Sequence, residues 1–249
     1  MQNYKSMNSF DIESNKDSVY FQGDQTNLFA NTRLGFVQKV YGILTCQLIF
    51  TVLLSIISMT SKSFMLFQVQ NYGILIFCII LTLIIMIVLF CYKEASRTTP
   101  YNYILLSIFT VCESWIVSTM CGVTNPKIVL MATVMTLGIV ISLTLYAITT
   151  KTDFTTMGGL MYVLGMALLL FVLFSIFSEN KILHIIISVI TVVIFGIYLI
   201  YDTQLIIGSG KHGLEIDDYI VGALILYMDI ITLFLELLSL IKSVSGNNS

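Results

Sequence analysis

The stretch "YIVGALILYMDIITLFLELLSLI", Tyr219 to Ile241, decides the fold. Its 23 residues contain no proline and only two charges, Asp229 and Glu236. As an α-helix it would be about 34 Å long at ~1.5 Å per residue, enough to cross the ~30 Å of hydrocarbon in a bilayer. A helix is the conformation to expect there, because hydrocarbon offers the backbone no partner outside the segment itself. Six other runs have the same character: Val40 to Met59, Tyr72 to Cys91, Tyr103 to Cys121, Ile128 to Ile148, Gly158 to Phe177, and Ile182 to Tyr201 extending to Ile207. The chain therefore reads as an all-α membrane protein, a bundle of seven transmembrane helices. The alternative is six spans plus a C-terminal re-entrant segment, since Asp229 and Glu236 both fall in the last run.

Composition agrees with this reading. Of 249 residues, 57% are apolar and 10% charged, and mean hydropathy is +0.93; a soluble domain carries about 25% charged residues. A formal charge of −2 with 12 basic residues leaves no electrostatic footprint for nucleic acid. Membrane lipid is the expected surrounding, and a homo-oligomer is compatible with it. Residues 1–32 form a polar head, expected to be disordered and cytoplasmic; 33–242 form the transmembrane domain and 243–249 a short polar tail. The connections are short and hold both prolines, Pro100 and Pro126, as helix-breaking residues require. The five cysteines have no pairing or zinc-binding spacing and are expected to be small buried hydrophobes.

Orientation follows from lysine and arginine. An N-in topology puts eight on the cytoplasmic side (Lys5, Lys16, Arg33, Lys39, Lys93, Arg97, Lys151, Lys211) and four on the other (Lys62, Lys127, Lys181, Lys242), which is the expected bias.

Four acids lie at membrane depth: Glu113, Asp202, Asp229 and Glu236. Each costs at least ~2.5 kcal/mol if it faces lipid, so each is expected to face the bundle interior. No lysine or arginine lies deep in a span to neutralise them. The short connection "GSGKHGLEIDD" makes spans six and seven antiparallel neighbours, which brings Asp202 and Asp229 near one another. Ideal straight helices leave them some 9 Å apart in depth. If they meet, they share a proton: a closed, hydrogen-bonded pair when protonated, a repelling pair that calcium could bridge weakly and transiently when not. Tyr198 and Asp202 share a face at i,i+4, as do Gly222, Asp229 and Glu236 at seven-residue spacing. Glu215, Asp217 and Asp218 precede the last helix, where they complement its dipole or attract cations to a pore mouth. His184 and His212 read as ordinary structural or solvated residues.

Two membrane aspartates also suggest an intramembrane aspartyl protease, but Asp229 follows "LYM" and lacks the glycine-rich motif such enzymes carry. A seven-helix receptor fits by count alone. A non-conducting interaction protein fits the small residues of "MATVMTLGIVISLTLYA". No enzyme and no cofactor is expected.

"RLGFVQKVYGILTCQLIFTV" (Arg33 to Val52), Pro100 and Asn102, "ESW" around Glu113, "YDTQLIIG" (Tyr201 to Gly208) and "DDYIVGALILYMDIITLFLELL" (Asp217 to Leu238) resemble the transmembrane Bax-inhibitor-motif family, nearest to its Lifeguard and Golgi anti-apoptotic branch. The resemblance implies a seven-helix bundle with the last helix near the centre, in Golgi or endoplasmic-reticulum membranes. It also implies a calcium leak or cation channel that lowers store calcium and inhibits apoptosis, with other endomembrane channels or apoptosis regulators as partners. By motif, Asp202 and Asp229 match the family's pH-sensing pair and Glu113 its acid in the third span. Glu215, Asp217 and Asp218 fall among the acids tied to conductance or selectivity. The arginine that closes the pair in bacterial relatives has no secure match.

Overall fold

A computed structural model describes residues 9–177, 180–208 and 211–246 of the chain. The elements are α1 (Ser9–Thr60), α2 (Lys62–Gln70), α3 (Tyr72–Cys91), α4 (Lys93–Arg97), α5 (Tyr101–Gly122), α6 (Pro126–Thr149), a 3-10 turn (Phe154–Met157), α7 (Gly158–Ile176), α8 (Lys181–Ile207) and α9 (Tyr219–Ser245). Among the described residues, seven helices are long and apolar enough to cross a membrane, beginning with the Ala30–Thr60 part of α1. Of the polar head expected over 1–32, residues 1–8 lie outside the described residues; from Ala30 onward, the first buried side chain of α1 is Phe36.

The last segment is one unbroken helix of 27 residues, about 40 Å at ~1.5 Å per residue. That length corrects the re-entrant alternative: a segment that entered and returned would need a break, and α9 has none. It is also the centre of the bundle, packed against α1, α5, α6 and α8, whereas α7 lies at the edge against α8 and the 3-10 turn.

Hydrophobicity does not choose the inner faces, because these helices are apolar all round and lipid competes for apolar surface as well as protein does. Polar and small residues choose them. On α1, Gln47, Thr51, Ser55 and Ser58 are all buried, and their spacing of four, four and three puts them on one face. They meet Thr110, Ser114 and Ser118 of α5. Gln47 Nε2 donates to Thr110 Oγ1 at 2.8 Å. The Thr51 hydroxyl pairs with Ser114 Oγ and with the Tyr227 hydroxyl of α9, both at 2.8 Å. Ser58 Oγ donates to Gln68 Oε1 at 2.6 Å, and Gln68 Nε2 to Ser118 Oγ at 2.9 Å. Each interhelical bond contributes ~0.6 kcal/mol, so this ladder specifies register more than it adds stability. At its far end Gly122 leaves room for Ser58: a Cβ there would collide with Ser58 Oγ. Trp115 is packed edge-on by Phe64 and Phe67, which seats α2 against α5.

The Arg33 end is closed by side chains that bind backbone. Gln204 donates to Ala147 O at 3.2 Å and Thr152 O at 2.9 Å and accepts from Phe154 N at 2.8 Å, tying the α6–α7 connection to α8. Buried Asn102 donates to Ser96 O and to the Tyr219 hydroxyl, both at 3.2 Å. Asp153 accepts from the Thr155 hydroxyl at 2.6 Å and from the backbone N–H groups of Lys211 and Thr155 at 2.7 and 3.0 Å. Of the cysteines, Cys78, Cys112 and Cys121 are buried as expected, but Cys46 and Cys91 are exposed; on an apolar helix the outer face accepts a thiol as readily as the core.

Gly122→Ala is expected to lower stability by about 1–3 kcal/mol through overpacking against Ser58, while Gly138→Ala, with open space around its Cβ, is not; thermal unfolding in detergent compares them. The Thr155 hydroxyl, with help from the Lys211 N–H, holds the Asp153 carboxyl below its ordinary range. A lowered folded-state pKa stabilises the fold above the unfolded value and loses that contribution as pH falls through the folded one. Asp153→Asn is therefore expected to flatten the acid limb of stability below about pH 4, read from unfolding at stepped pH.

Candidate functional site: the Asp202–Asp229 pair

Asp202 and Asp229 are 8% and 4% exposed, and their carboxyls face one another across the α8–α9 interface, close enough to interact directly. A hydrogen bond between them needs a proton on one of the two, since ionised carboxylates only accept.

How they meet, despite the depths expected of straight helices, is visible in the backbone. The connection after Gly208 folds back, with Leu214 N donating to Leu205 O at 3.1 Å. Gly222 consequently lies beside Ile206: a Cβ on Gly222 would touch Val40, Leu214 and Ile206 at 3.1 to 3.5 Å. From that shared level Asp202 is four residues away along α8 and Asp229 seven along α9, or about 6 Å against about 10 Å. The remaining ~4 Å is closed by side-chain direction, since Cα–Cβ bonds tilt towards the N-terminus of their helix. In this antiparallel pair the shallower Asp202 leans deeper and the deeper Asp229 leans back, so the two carboxyls converge.

Asp229 Oδ2 is buried without a hydrogen-bond partner. Tyr198, expected to share the face of Asp202, donates its hydroxyl instead to Met161 O of α7 at 2.5 Å. That contact lies against Gly165, where a Cβ would come within 2.6 Å of the same hydroxyl.

The other sequence candidates are dispersed. Glu113 is 8% exposed on α5, within electrostatic range of Cys78 on α3 and Tyr227 on α9. Glu236 is half-buried further along α9 and Asp217 is exposed. Glu215 and Asp218 are held by Arg97: its Nε and Nη2 meet the two Asp218 oxygens at 2.7 and 2.9 Å, and Nη2 meets Glu215 at 2.7 Å. Lys93 stands 3.8 Å from Glu215. His212 donates its backbone N–H to Thr155 Oγ1 at 3.1 Å, and the exposed His184 also has a partner. Among the described residues, no group of three or more His, Cys, Asp or Glu stands together to hold a metal ion. Calcium at the pair would need most of its six to eight oxygens from carbonyls and water.

A 230 Å³ cavity adjoins the ladder between α1, α5, α6 and α9, lined in part by Thr51, Ser55, Thr136 and Phe234. A 470 Å³ groove between α1 and α5 is lined by Gln47, Tyr103 and Thr110 among others. Neither is lined by Asp202 or Asp229.

Sequence reasoning missed the ladder, although the i, i+4 recurrence of Gln47, Thr51 and Ser55 was its signal. It also missed Arg33, which donates to the carbonyls of Leu205, Ile207 and Leu214 and was counted only for topology.

Comparison with known proteins agrees with this architecture. The family model described as Inhibitor of apoptosis-promoting Bax1 matches residues 33–246, the part that holds the bundle and the acidic pair. Mouse Protein lifeguard 3 is 33% identical over 215 residues, covering 85% of this chain and 70% of that protein. The human Protein lifeguard 3 is 34% identical over 209 residues, covering 82% and 67%. Protein LIFEGUARD 2 of Arabidopsis thaliana is 32% identical over 243 residues, covering 95% and 98%. With seven membrane-crossing helices and relatives of this length and identity, the chain belongs to the Bax-inhibitor and Lifeguard family of multi-pass membrane proteins.

Proposed function

We propose that the chain is a pH-sensitive calcium leak or cation channel of Golgi or endoplasmic-reticulum membranes, with its N-terminus cytoplasmic, that lowers store calcium and inhibits apoptosis. The observation that carries the reading is the contact between two buried carboxyls on neighbouring spans. One shared proton holds them together. Its loss leaves two negative charges in contact; unit charges ~4 Å apart repel by ~4 kcal/mol at an effective dielectric of ~20, enough to drive α8 and α9 apart locally. A cation entering the gap relieves that repulsion, and two carboxylates with water bind calcium weakly enough to release it. The unpartnered Asp229 Oδ2 is the oxygen free to take such an ion. Glu113 supplies a further acid on α5, and the exposed Asp217 at one end of α9 and Glu236 towards the other draw cations to the mouths, whereas Asp218 and Glu215 there are already held by Arg97. The description of the matching family, inhibitor of apoptosis-promoting Bax1, supports the cell-death role.

A second reading, a non-conducting membrane protein that regulates cell death or other calcium channels through partners, draws on the enclosure of the pair, which neither cavity reaches.

Purified protein in liposomes separates the two. Calcium flux is expected to rise with pH over roughly pH 5 to 8, because deprotonation opens the pair. Asp202→Asn and Asp229→Asn, which cannot become a repelling pair, are expected to lose that dependence. An unchanged pH response in Asp229→Asn overturns the latch; no flux from folded wild type favours the second reading.

A further inference from the structure

The chain contains two arginines, Arg33 and Arg97, and both end on the segment that joins the helices carrying the aspartates. Arg33 comes from α1. Its Nε donates to Ile207 O at 3.3 Å and its Nη2 to Leu205 O at 2.7 Å, which takes the C-terminal turn of α8; its Nη1 donates to Leu214 O at 2.5 Å, which takes the start of the approach to α9. No carboxylate pairs with it among the described residues. Its charge is met by the carbonyl end of the α8 dipole, and its guanidinium lies over the Phe36 ring at 4.7 Å.

The backbone is shaped to admit this group. Gly208 ends α8 at φ +70°, and a Cβ there would lie 2.8 Å from Arg33 Nε; a Cβ on Gly213 would lie 3.1 Å from Arg33 Nη2. Two glycines therefore make room for one guanidinium. Arg97 does the corresponding work for the other helix. Its fork grips Asp218, the residue immediately before α9, through both carboxylate oxygens, a geometry that lysine cannot reproduce. Asp218 pushes the Arg97 pKa still higher.

We infer that Arg33 and Arg97 are positioning residues that set the axial register of α8 and α9, and that the meeting of Asp202 with Asp229 depends on both. The convergence of the carboxyls leaves little tolerance. Side-chain lean closes about 4 Å, whereas a slip of one helical turn moves a residue by ~5.4 Å and separates the pair. The functional meaning of this assignment rests on the reading of the pair as the working site, but its test does not.

The test is proximity. In the full chain with its native cysteines replaced by alanine, Asp202→Cys and Asp229→Cys are introduced together, and disulfide formation is followed with copper phenanthroline in oxygenated buffer, oxygen taking the two electrons and two protons of the thiols. Adding Arg33→Gln, Arg33→Lys or Arg97→Gln is expected to slow cross-linking about ten-fold, the scale of losing one or two charged hydrogen bonds. The exchange Arg97→Asp with Asp218→Arg is expected to restore much of the rate. A second pair, Thr51→Cys with Ser114→Cys, reports on α1 and α5 and is expected to cross-link at the same rate throughout. Unchanged 202–229 cross-linking in the arginine variants overturns the inference. Equal slowing at both cysteine pairs also overturns it, because that result is general loosening. Loss of 202–229 cross-linking alone, in a protein whose wild type carries no flux, supports the register role and counts only against the conduction reading.

Discussion

Hydrocarbon gives a polar group no partner, and the whole arrangement follows from that constraint. In water, the apolar residues of a helix would choose the inner face. Here they cannot, since α3, α6 and α7 are apolar on every side and lipid receives them as well as protein does. The choice falls to Gln47, Thr51, Ser55 and Ser58 on α1, Thr110, Ser114 and Ser118 on α5, and Tyr227 on α9, which find each other because nothing outside will bond them. The same constraint puts Asp202 against Asp229 and brings Arg33 to the open carbonyls at the end of α8.

Much of this was legible in the sequence. Run length alone yields seven spans, and the missing basic residue inside them points to Asp202 and Asp229 as a pair. The depth mismatch between them was not resolvable, because it depends on where the chain turns back after Gly208 and on the opposite lean of side chains in antiparallel helices. The re-entrant alternative rested on two acids, Asp229 and Glu236, falling inside the last run; α9 continues through both, because helices break for backbone reasons and neither an aspartate nor a glutamate removes a backbone hydrogen bond.

Roles assigned from sequence neighbourhood fared differently from those assigned by depth. Glu215 and Asp218 looked like capping acids or a free mouth, yet Arg97 occupies them, and that partner is more than a hundred residues away in the chain. Arg33 looked like a topology marker at the start of the first span. Its three carbonyl bonds cross most of the length of the chain, and no local pattern announces them. Gly208 and Gly213 were legible as part of a short, glycine-rich connection, whereas the close approach of a guanidinium is what they accommodate.

The central place of α9 has a consequence for how the molecule comes into being. The helix that four others pack around is made after all of them. Until it arrives, Asp202 lacks Asp229 and Thr51 lacks the Tyr227 hydroxyl, and α1, α5, α6 and α8 lack the helix against which all four pack. The ladder between α1, α2 and α5 can form before α9 exists, but closure of the common core waits for α9. The polar groups of α1 and α8 that face α9 stay open to lipid until that helix buries them.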